Sequence, residues 1–378
     1  MYASVASMIQ QFNIDNIRLL QELGYEVDVA CNFEFGSSIS DERVEIFKKE
    51  LETLNVKYYH IPVPRNLHDI KHLIVSLYAS LKLMNEKRYC LIHCHSPIGG
   101  MICRIANRMS CSYEKTCMIY TAHGFHFFKG NNVIKNIIFK TMEKIGARYT
   151  DTLITINKED YRAAKTFKLK KEGFVFYVPG IGINLEKFEK FSGKREQLLR
   201  ELHIPSEAKL LFSVGELNQN KNHRIVVEAL ANLKKDVHYL IAGQGDMKQA
   251  LLELATQLDV QEQFHLLGYR NDIIEIMKSC DVFVFPSKRE GLSVALMEAM
   301  ACGLPCVVSE IRGNTDLIDN EKGGYIFKDA KQVDGLVNSI LNSELSGCSM
   351  SHYNLTKIKK FSRNEVEKKM KLIYSEVK

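Results

Sequence analysis

Glu290 and Glu298 stand with seven residues between them in the string Phe285-Pro-Ser-Lys-Arg-Glu-Gly-Leu-Ser-Val-Ala-Leu-Met-Glu-Ala-Met-Ala-Cys-Gly-Leu-Pro305. Carboxylates are acceptor-only groups, and two of them facing one polar crevice suit pairs of sugar hydroxyls. The apolar run to Phe285 reads as a strand. A helix follows from about Ser293, stopped by Gly303 and Pro305. Glu290 then lies in a strand-to-helix loop, where open α/β sheets bind ligands. The amides of Gly291, Leu292 and Ser293 lie at the helix start, where unpaired N–H groups and the helix dipole favour phosphate or hydroxyl oxygens. The bland alternative makes Glu290 a helix cap and Glu298 a solvated surface residue.

A second loop, Gly215–Asn222, also follows an apolar run. Gly215 lets backbone approach a ligand, and Lys221 can neutralise a diphosphate as a point charge, alone or with Arg289. The pair Gly243 and Gly245 reads as no more than a tight turn before a helix. In the first half, Tyr120-Thr-Ala-His-Gly-Phe-His-Phe-Phe128 places His123 and His126 after another strand. A neutral imidazole there can donate or accept a hydrogen bond near pH 7. His93-Cys-His95 ends an earlier strand. Alternation puts both histidines on one face with Cys94 opposed, and no closed zinc ligand set results.

The elements that must hold these residues alternate between strand and helix. Residues 25–31, 56–61, 89–93, 117–121, 152–156 and 174–178 read as strands, with helices such as 70–85 and 133–148 between them. The second half repeats the rhythm at 210–214, 237–242, 264–267, 281–285 and 306–309. Such alternation implies parallel sheets covered on both faces. The run Met1–Val5 reads either as a first strand whose start is missing or as an unusually short one. Pro179, Gly180 and Gly182 interrupt the pattern. The expected domains are therefore 1–182, 183–356 and a basic terminal helix, 357–378, that could cross back to the first domain.

Length and composition agree with two soluble domains. The chain has 378 residues, 46% hydrophobic and 25% charged, with a net charge of +6. That charge is too small to demand nucleic acid, and no nucleic-acid partner is expected. Ten cysteines scattered through apolar runs read as buried free thiols in a reducing compartment. Nothing resembles a secretory signal, and no apolar stretch approaches the roughly 18 residues that span a bilayer.

The Glu290–Pro305 string resembles glycosyltransferase family 4, whose members carry Glu-x7-Glu followed by Ala-Met-Ala-x-Gly-x-Pro. Ser213–Asn222, Ala242–Asp246 and Gly268–Asp272 add to the resemblance. It implies a GT-B fold: two doubly wound Rossmann-like domains with the active site in the cleft between them. It implies retaining transfer from a nucleotide-diphosphate sugar, most simply a UDP-sugar. By resemblance Glu290 contacts the donor sugar, Glu298 the ribose, and His123 the donor sugar near the reacting centre, with His126 on the acceptor side. Tyr269 and Arg270 would frame the base. An Arg commonly follows the first glycine in the family; Glu216 stands there instead. No Asp-x-Asp pair occurs, so no metal and no other cofactor is expected. Residues 151–160 and 215–223 also look like those of enzymes that build exopolysaccharide or capsule on a lipid carrier. The implied acceptor is a glycan or lipid-linked sugar.

Residues 129–148 hold five basic residues and one acid among seven large apolar ones. Two readings are open: a helix packing its apolar stripe on the sheet, or shallow contact with an anionic membrane. The second would put a cytoplasmic protein at the inner face of the cell membrane. Two other functional classes fit less of the string: a sugar-nucleotide 2-epimerase of the same fold, and an inactive membrane-associated binding module.

Overall fold

The computed structural model describes residues 1–36 and 39–376; Ser37, Ser38, Val377 and Lys378 lie outside the described residues. The chain separates into two compact units. One comprises Met1–Ile181 with Val366–Lys378, and the other Gly182–Glu365. Residues 357–365, read from sequence with the terminal helix, thus stay with the second unit.

The first unit is built on strands β1 (Tyr2–Val5), β2 (Asp28–Asn32), β3 (Lys57–His60), β4 (Leu91–His95), β5 (Cys117–Ala122), β6 (Thr152–Thr155) and β7 (Phe174–Tyr177). They form one parallel sheet in the order β3-β2-β1-β4-β5-β6-β7. The short opening run is therefore a central strand. The order reverses between β1 and β4, and such a switch point opens a crevice at the strands' carboxyl ends. His95 closes β4 and His123 follows β5, so both stand at this end.

Each face of the sheet carries helices. Ile102, Cys103 and Ala106 of the Pro97–Met109 helix pack on one face against Tyr2, Cys94 and Tyr120. Two glycines permit this closeness. A Cβ at Gly99 would sit 2.7 Å from Ser4 Oγ, and one at Gly100 would sit 2.7 Å from the Tyr120 ring. On the other face, Val366, Met370, Ile373 and Tyr374 of the terminal Arg363–Glu376 helix join Ile9, Ile17, Val29 and Phe47 in one core.

The Val133–Ala147 helix reverses the first of the two readings offered for it. Val133, Ile134, Ile137 and Ile138 are 71%, 67%, 61% and 51% exposed, whereas the acid Glu143 is buried. Glu143 is held there by fully buried Arg104, whose Nη2 donates to Glu143 Oε2 at 3.2 Å, and by the Tyr120 hydroxyl at 3.1 Å. The Arg104 guanidinium lies 3.9 Å over the Tyr120 ring. A paired, hydrogen-bonded charge is tolerable in a core where a lone one is not. The helix is thus anchored by its one acid, and its isoleucines face outward beside exposed Lys135, Lys140 and Lys144.

The second unit holds β8 (Lys209–Val214), β9 (Val237–Ala242), β10 (Phe264–Gly268), β11 (Val282–Phe285), β12 (Cys306–Ser309) and β13 (Gly324–Phe327). All are parallel, in the order β10-β9-β8-β11-β12-β13. The runs of β9, β11 and β12 are buried throughout, as expected of strands covered on both faces, and those of the edge strands β10 and β13 only in part. Here the order reverses between β8 and β11. The loops after these two strands carry Lys221 and Glu290.

Candidate active site

In the second unit the two loops meet. Lys221 Nζ donates to Glu290 Oε1 at 2.8 Å and lies 4.8 Å over the Phe285 ring. The two side chains are only 19% and 16% exposed. Gly215 makes room for this arrangement. Its φ is +155°, and a Cβ there would approach Lys221 Cε to 3.0 Å. Gly243 and Gly245 do more than form a turn. A Cβ on the first would lie 1.8 Å from the Gly215 carbonyl oxygen, and on the second 2.3 Å from that of Leu217. Both glycines let the loop after β9 lie directly against the loop after β8.

Glu216, where the family resemblance leads one to expect Arg, has a local task. Its Oε2 accepts from Asn218 Nδ2 at 2.9 Å, and Asn218 Oδ1 accepts from the amides of Asn220 and Lys221 at 3.0 and 2.9 Å. The carboxylate therefore fixes the turn that presents Lys221. The Asn220 side chain then reaches the Arg289 carbonyl at 3.1 Å, and Lys288 N donates to Asn220 O at 2.8 Å. The Arg289 side chain is exposed.

On its far side the Glu290 loop meets residues that the sequence reading passed over. Arg312 Nε donates to the Glu290 carbonyl at 3.2 Å. Gly313 has φ +81°, and a Cβ there would lie 2.5 Å from the Gly291 oxygen. A glycine in a strand-to-helix loop beside β11 was the available signal for both. Ser293 is the N-cap of the Val294–Ala301 helix, its hydroxyl accepting from Leu296 N at 3.3 Å, so its side chain already has a structural partner. Leu292 is buried. Glu298, on the same helix, is partly buried, and among the described residues its carboxylate takes no hydrogen bond. Desolvation raises its pKa above the ordinary value, and Lys187 offsets this only in part.

Arg270 is paired within its own loop and with Glu201. Its guanidinium is taken by Asp272, at 2.8 and 2.7 Å, and by Glu201. That ion-pair network holds the loop after β10, and the structure gives Arg270 no hydrogen bond to the Lys221–Glu290 pair. Tyr269 beside it is 75% exposed.

In the first unit His123 Nε2 lies 3.1 Å from His95 Nδ1. The His95 ring lies against the His93 ring, with centroids 4.2 Å apart. The shared face expected for His93 and His95 is present. His93 is pinned through Nδ1 to the Tyr374 hydroxyl at 2.8 Å and through Nε2 to Thr121 Oγ1 at 2.7 Å. Desolvation lowers the pKa of all three imidazoles, that of His123 to about 4, so they are neutral at pH 7. The His123 loop is held from behind by buried Asp160, which accepts from Phe125 N at 2.9 Å and from Asn157 Nδ2 at 2.7 Å. The His126 ring packs on Phe139 at 5.2 Å between centroids, and its carbonyl accepts from Asn131. Among the described residues no group of three or more His, Cys, Asp or Glu is arranged to hold a metal ion.

Two stretches match known families: residues 10–177 match Glycosyltransferase Family 4, and residues 194–354 match Glycosyl transferases group 1. The glycosyltransferase EpsD of Bacillus subtilis (strain 168) is 33% identical over 331 residues, covering 86% of this chain and 82% of its own. The chain belongs to glycosyltransferase family 4. A second relative of this glycosyltransferase is the UDP-Gal:alpha-D-GlcNAc-diphosphoundecaprenol alpha-1,3-galactosyltransferase of Escherichia coli. It is 29% identical over 343 residues, covering 89% of this chain and 84% of its own. The structure of Anabaena HepE in complex with UDP and glucose superposes with a TM-score of 0.75 at 16% identity, over 99% of this chain and 98% of that one. This likeness bears out the GT-B class expected for the two sheets.

Proposed function

We propose that this glycosyltransferase moves a sugar, with retention, from a UDP-sugar to a lipid-linked or glycan acceptor in exopolysaccharide or capsule synthesis. The observation that carries the reading is the Lys221–Glu290 pair at the switch point of the second sheet, with the partly desolvated carboxylate of Glu298 on the adjoining helix. Lys221 supplies positive charge for a departing diphosphate, an electrostatic form of transition-state stabilisation. Glu290, once its partner turns to the diphosphate, accepts from hydroxyls of the donor sugar. Glu298 accepts from the ribose. The amides of Gly291 and Leu292 and the exposed guanidinium of Arg289 complete the donor side. His123 meets the sugar, and His126 belongs to the acceptor side. No side-chain nucleophile is assigned; the acceptor enters on the face the nucleotide leaves. Lys221 does the work that a divalent cation does in other transferases, so the reaction proceeds without metal.

The donor and acceptor classes take support from the E. coli relative, whose name specifies UDP-Gal and a diphosphoundecaprenol-linked sugar. A lipid-linked acceptor suits a protein that meets a membrane from one side. No helix among the described residues is long and apolar enough to cross one. The outward isoleucines of Val133–Ala147, set among exposed lysines, fit shallow insertion at an anionic surface, and we assign that surface to the inner face of the cell membrane.

The test is a thermal-shift and transfer panel of UDP-, GDP-, dTDP- and CMP-linked sugars, with and without an undecaprenyl-diphosphate-linked acceptor sugar. Stabilisation by UDP ligands and transfer dependent on the lipid-linked acceptor are expected. Stabilisation by another nucleotide alone would overturn the donor assignment. Isomerised donor in the absence of acceptor would indicate an epimerase.

A further inference from the structure

The contact between His95 and His123 fixes where a proton sits. Both imidazoles are neutral, so each carries one N–H. His95 Nε2 lies 3.1 Å from Met1 Sδ, and a thioether sulfur only accepts. If His95 Nε2 were bare, its lone pair would point at sulfur lone pairs. The favourable arrangement has His95 Nε2–H directed at Met1 Sδ, which leaves His95 Nδ1 unprotonated. The proton between the two rings at 3.1 Å then belongs to His123. His123 Nε2–H donates to His95 Nδ1, and His123 Nδ1 is left with its lone pair. His95 cannot turn away, because it is 1% exposed and packed on His93, itself pinned at both nitrogens by Tyr374 and Thr121.

We propose that His95 is a positioning residue for sugar transfer: it locks His123 in the tautomer whose Nδ1 accepts a hydrogen bond, so that one sugar hydroxyl must act as donor to His123. The proposal rests on the reading that His123 meets the sugar. It adds a direction to that contact. A hydroxyl that donates to His123 keeps its own lone pairs for other groups, and a substituent that cannot donate is refused.

Three measurements test this. Nitrogen-15 NMR of histidine-labelled protein reports the tautomer directly: His123 should show a protonated Nε2 and a bare Nδ1. A protonated Nδ1 in the wild type would overturn the proposal whatever the kinetics. In His95→Leu the lock is gone and the tautomers of His123 should mix, with kcat/KM for transfer falling about tenfold, the worth of one misdirected hydrogen bond. His95→Gln can present its carbonyl oxygen to His123 Nε2–H and should restore both tautomer and rate. If the leucine variant fails to fold, the wild-type spectrum and the glutamine variant still decide. Altered tautomers with unaltered kcat/KM would overturn the positioning role. In a series of monodeoxyfluoro donors, fluorine accepts but cannot donate. The position whose penalty disappears in His123→Ala should be penalised as heavily by fluorine as by hydrogen; tolerance of fluorine there would mean that His123 donates. Full transfer by His123→Ala would instead defeat the assignment of His123 to the sugar, leaving the spectroscopic result standing on its own.

Discussion

Lys221 and Glu290, sixty-nine positions apart in sequence, form a 2.8 Å ion pair across two loops of one sheet. Each satisfies the other, so a diphosphate that draws Lys221 away also frees the Glu290 carboxylate. Glu290→Gln should lower transfer about a hundredfold through misplacement of the sugar. UDP affinity should hold or rise, because Lys221 no longer has a competing anion. Titration calorimetry with UDP and a transfer assay on one preparation check this. A helix-capping role would give near-normal transfer and a stability loss of about 1 kcal/mol.

Glu298 carries a partly desolvated carboxylate that takes no hydrogen bond among the described residues. Glu298→Gln should therefore raise the Tm of the unliganded protein, by about 1–3 °C, while weakening UDP binding. A variant that binds UDP as the wild type does would remove Glu298 from the donor site.

If Lys221 neutralises the diphosphate as proposed, transfer should continue in excess chelator. Activity lost in EDTA and regained with Mg2+ or Mn2+ would refute this.

The exposed ridge of the Val133–Ala147 helix should bind anionic vesicles in flotation at physiological salt and ignore neutral ones, each lysine near the surface adding about 1 kcal/mol. Ile134→Asp with Ile138→Asp should abolish flotation and leave Tm unchanged, as both side chains face solvent. Equal flotation with neutral and anionic lipid would end the argument.

Stability should rise with pH between about 4 and 6.5 and flatten above 7. Desolvation lowers the pKa of His93, His95, His123, His223 and His265, the last three to about 4, against about 6.5 unfolded. The unfolded chain binds more protons in that window, so acid favours unfolding by of order 1 kcal/mol per imidazole at pH 5. Glu298 has the opposite sign, since a raised carboxyl pKa costs stability as pH rises past its ordinary value, and one such group does not outweigh five. Urea midpoints at pH 5 and 7.5 measure the difference, and a midpoint as high at pH 5 would contradict it.

The sheets were legible because parallel strands leave nearly continuous apolar runs, as in Leu210–Phe212 and Val282–Phe285. Gly324–Phe327 was missed because Lys322, Gly323 and Gly324 read as a turn that swallows its start. The chemistry of Glu290 and Lys221 was legible because both follow strand ends, yet their mutual contact was not, since no local pattern records which loops become neighbours. The pairing of the Arg270 guanidinium was not legible, because the string Gly268–Asp272 does not show that Glu201 lies beside it. For Val133–Ala147 two readings stayed open for a similar reason. Amphipathic spacing says that a helix has two faces, and only Arg104 and Tyr120 say that the face with Glu143 is the inner one. The role of Glu216 likewise required seeing Asn218.

The terminal Arg363–Glu376 helix has a consequence for biosynthesis. Its Val366, Met370, Ile373 and Tyr374 complete a core whose other members include Ile9, Ile17 and Val29. A ribosome makes those partners several hundred residues before these. The second unit, Gly182–Glu365, has all of its residues before that helix is finished. The usual order, in which the amino-terminal domain matures first during synthesis, is thereby inverted: the earliest-made sheet waits with the core on one face incomplete until the Arg363–Glu376 helix has been made. A premature stop before Val366 would spare the late-made unit and cripple the early one.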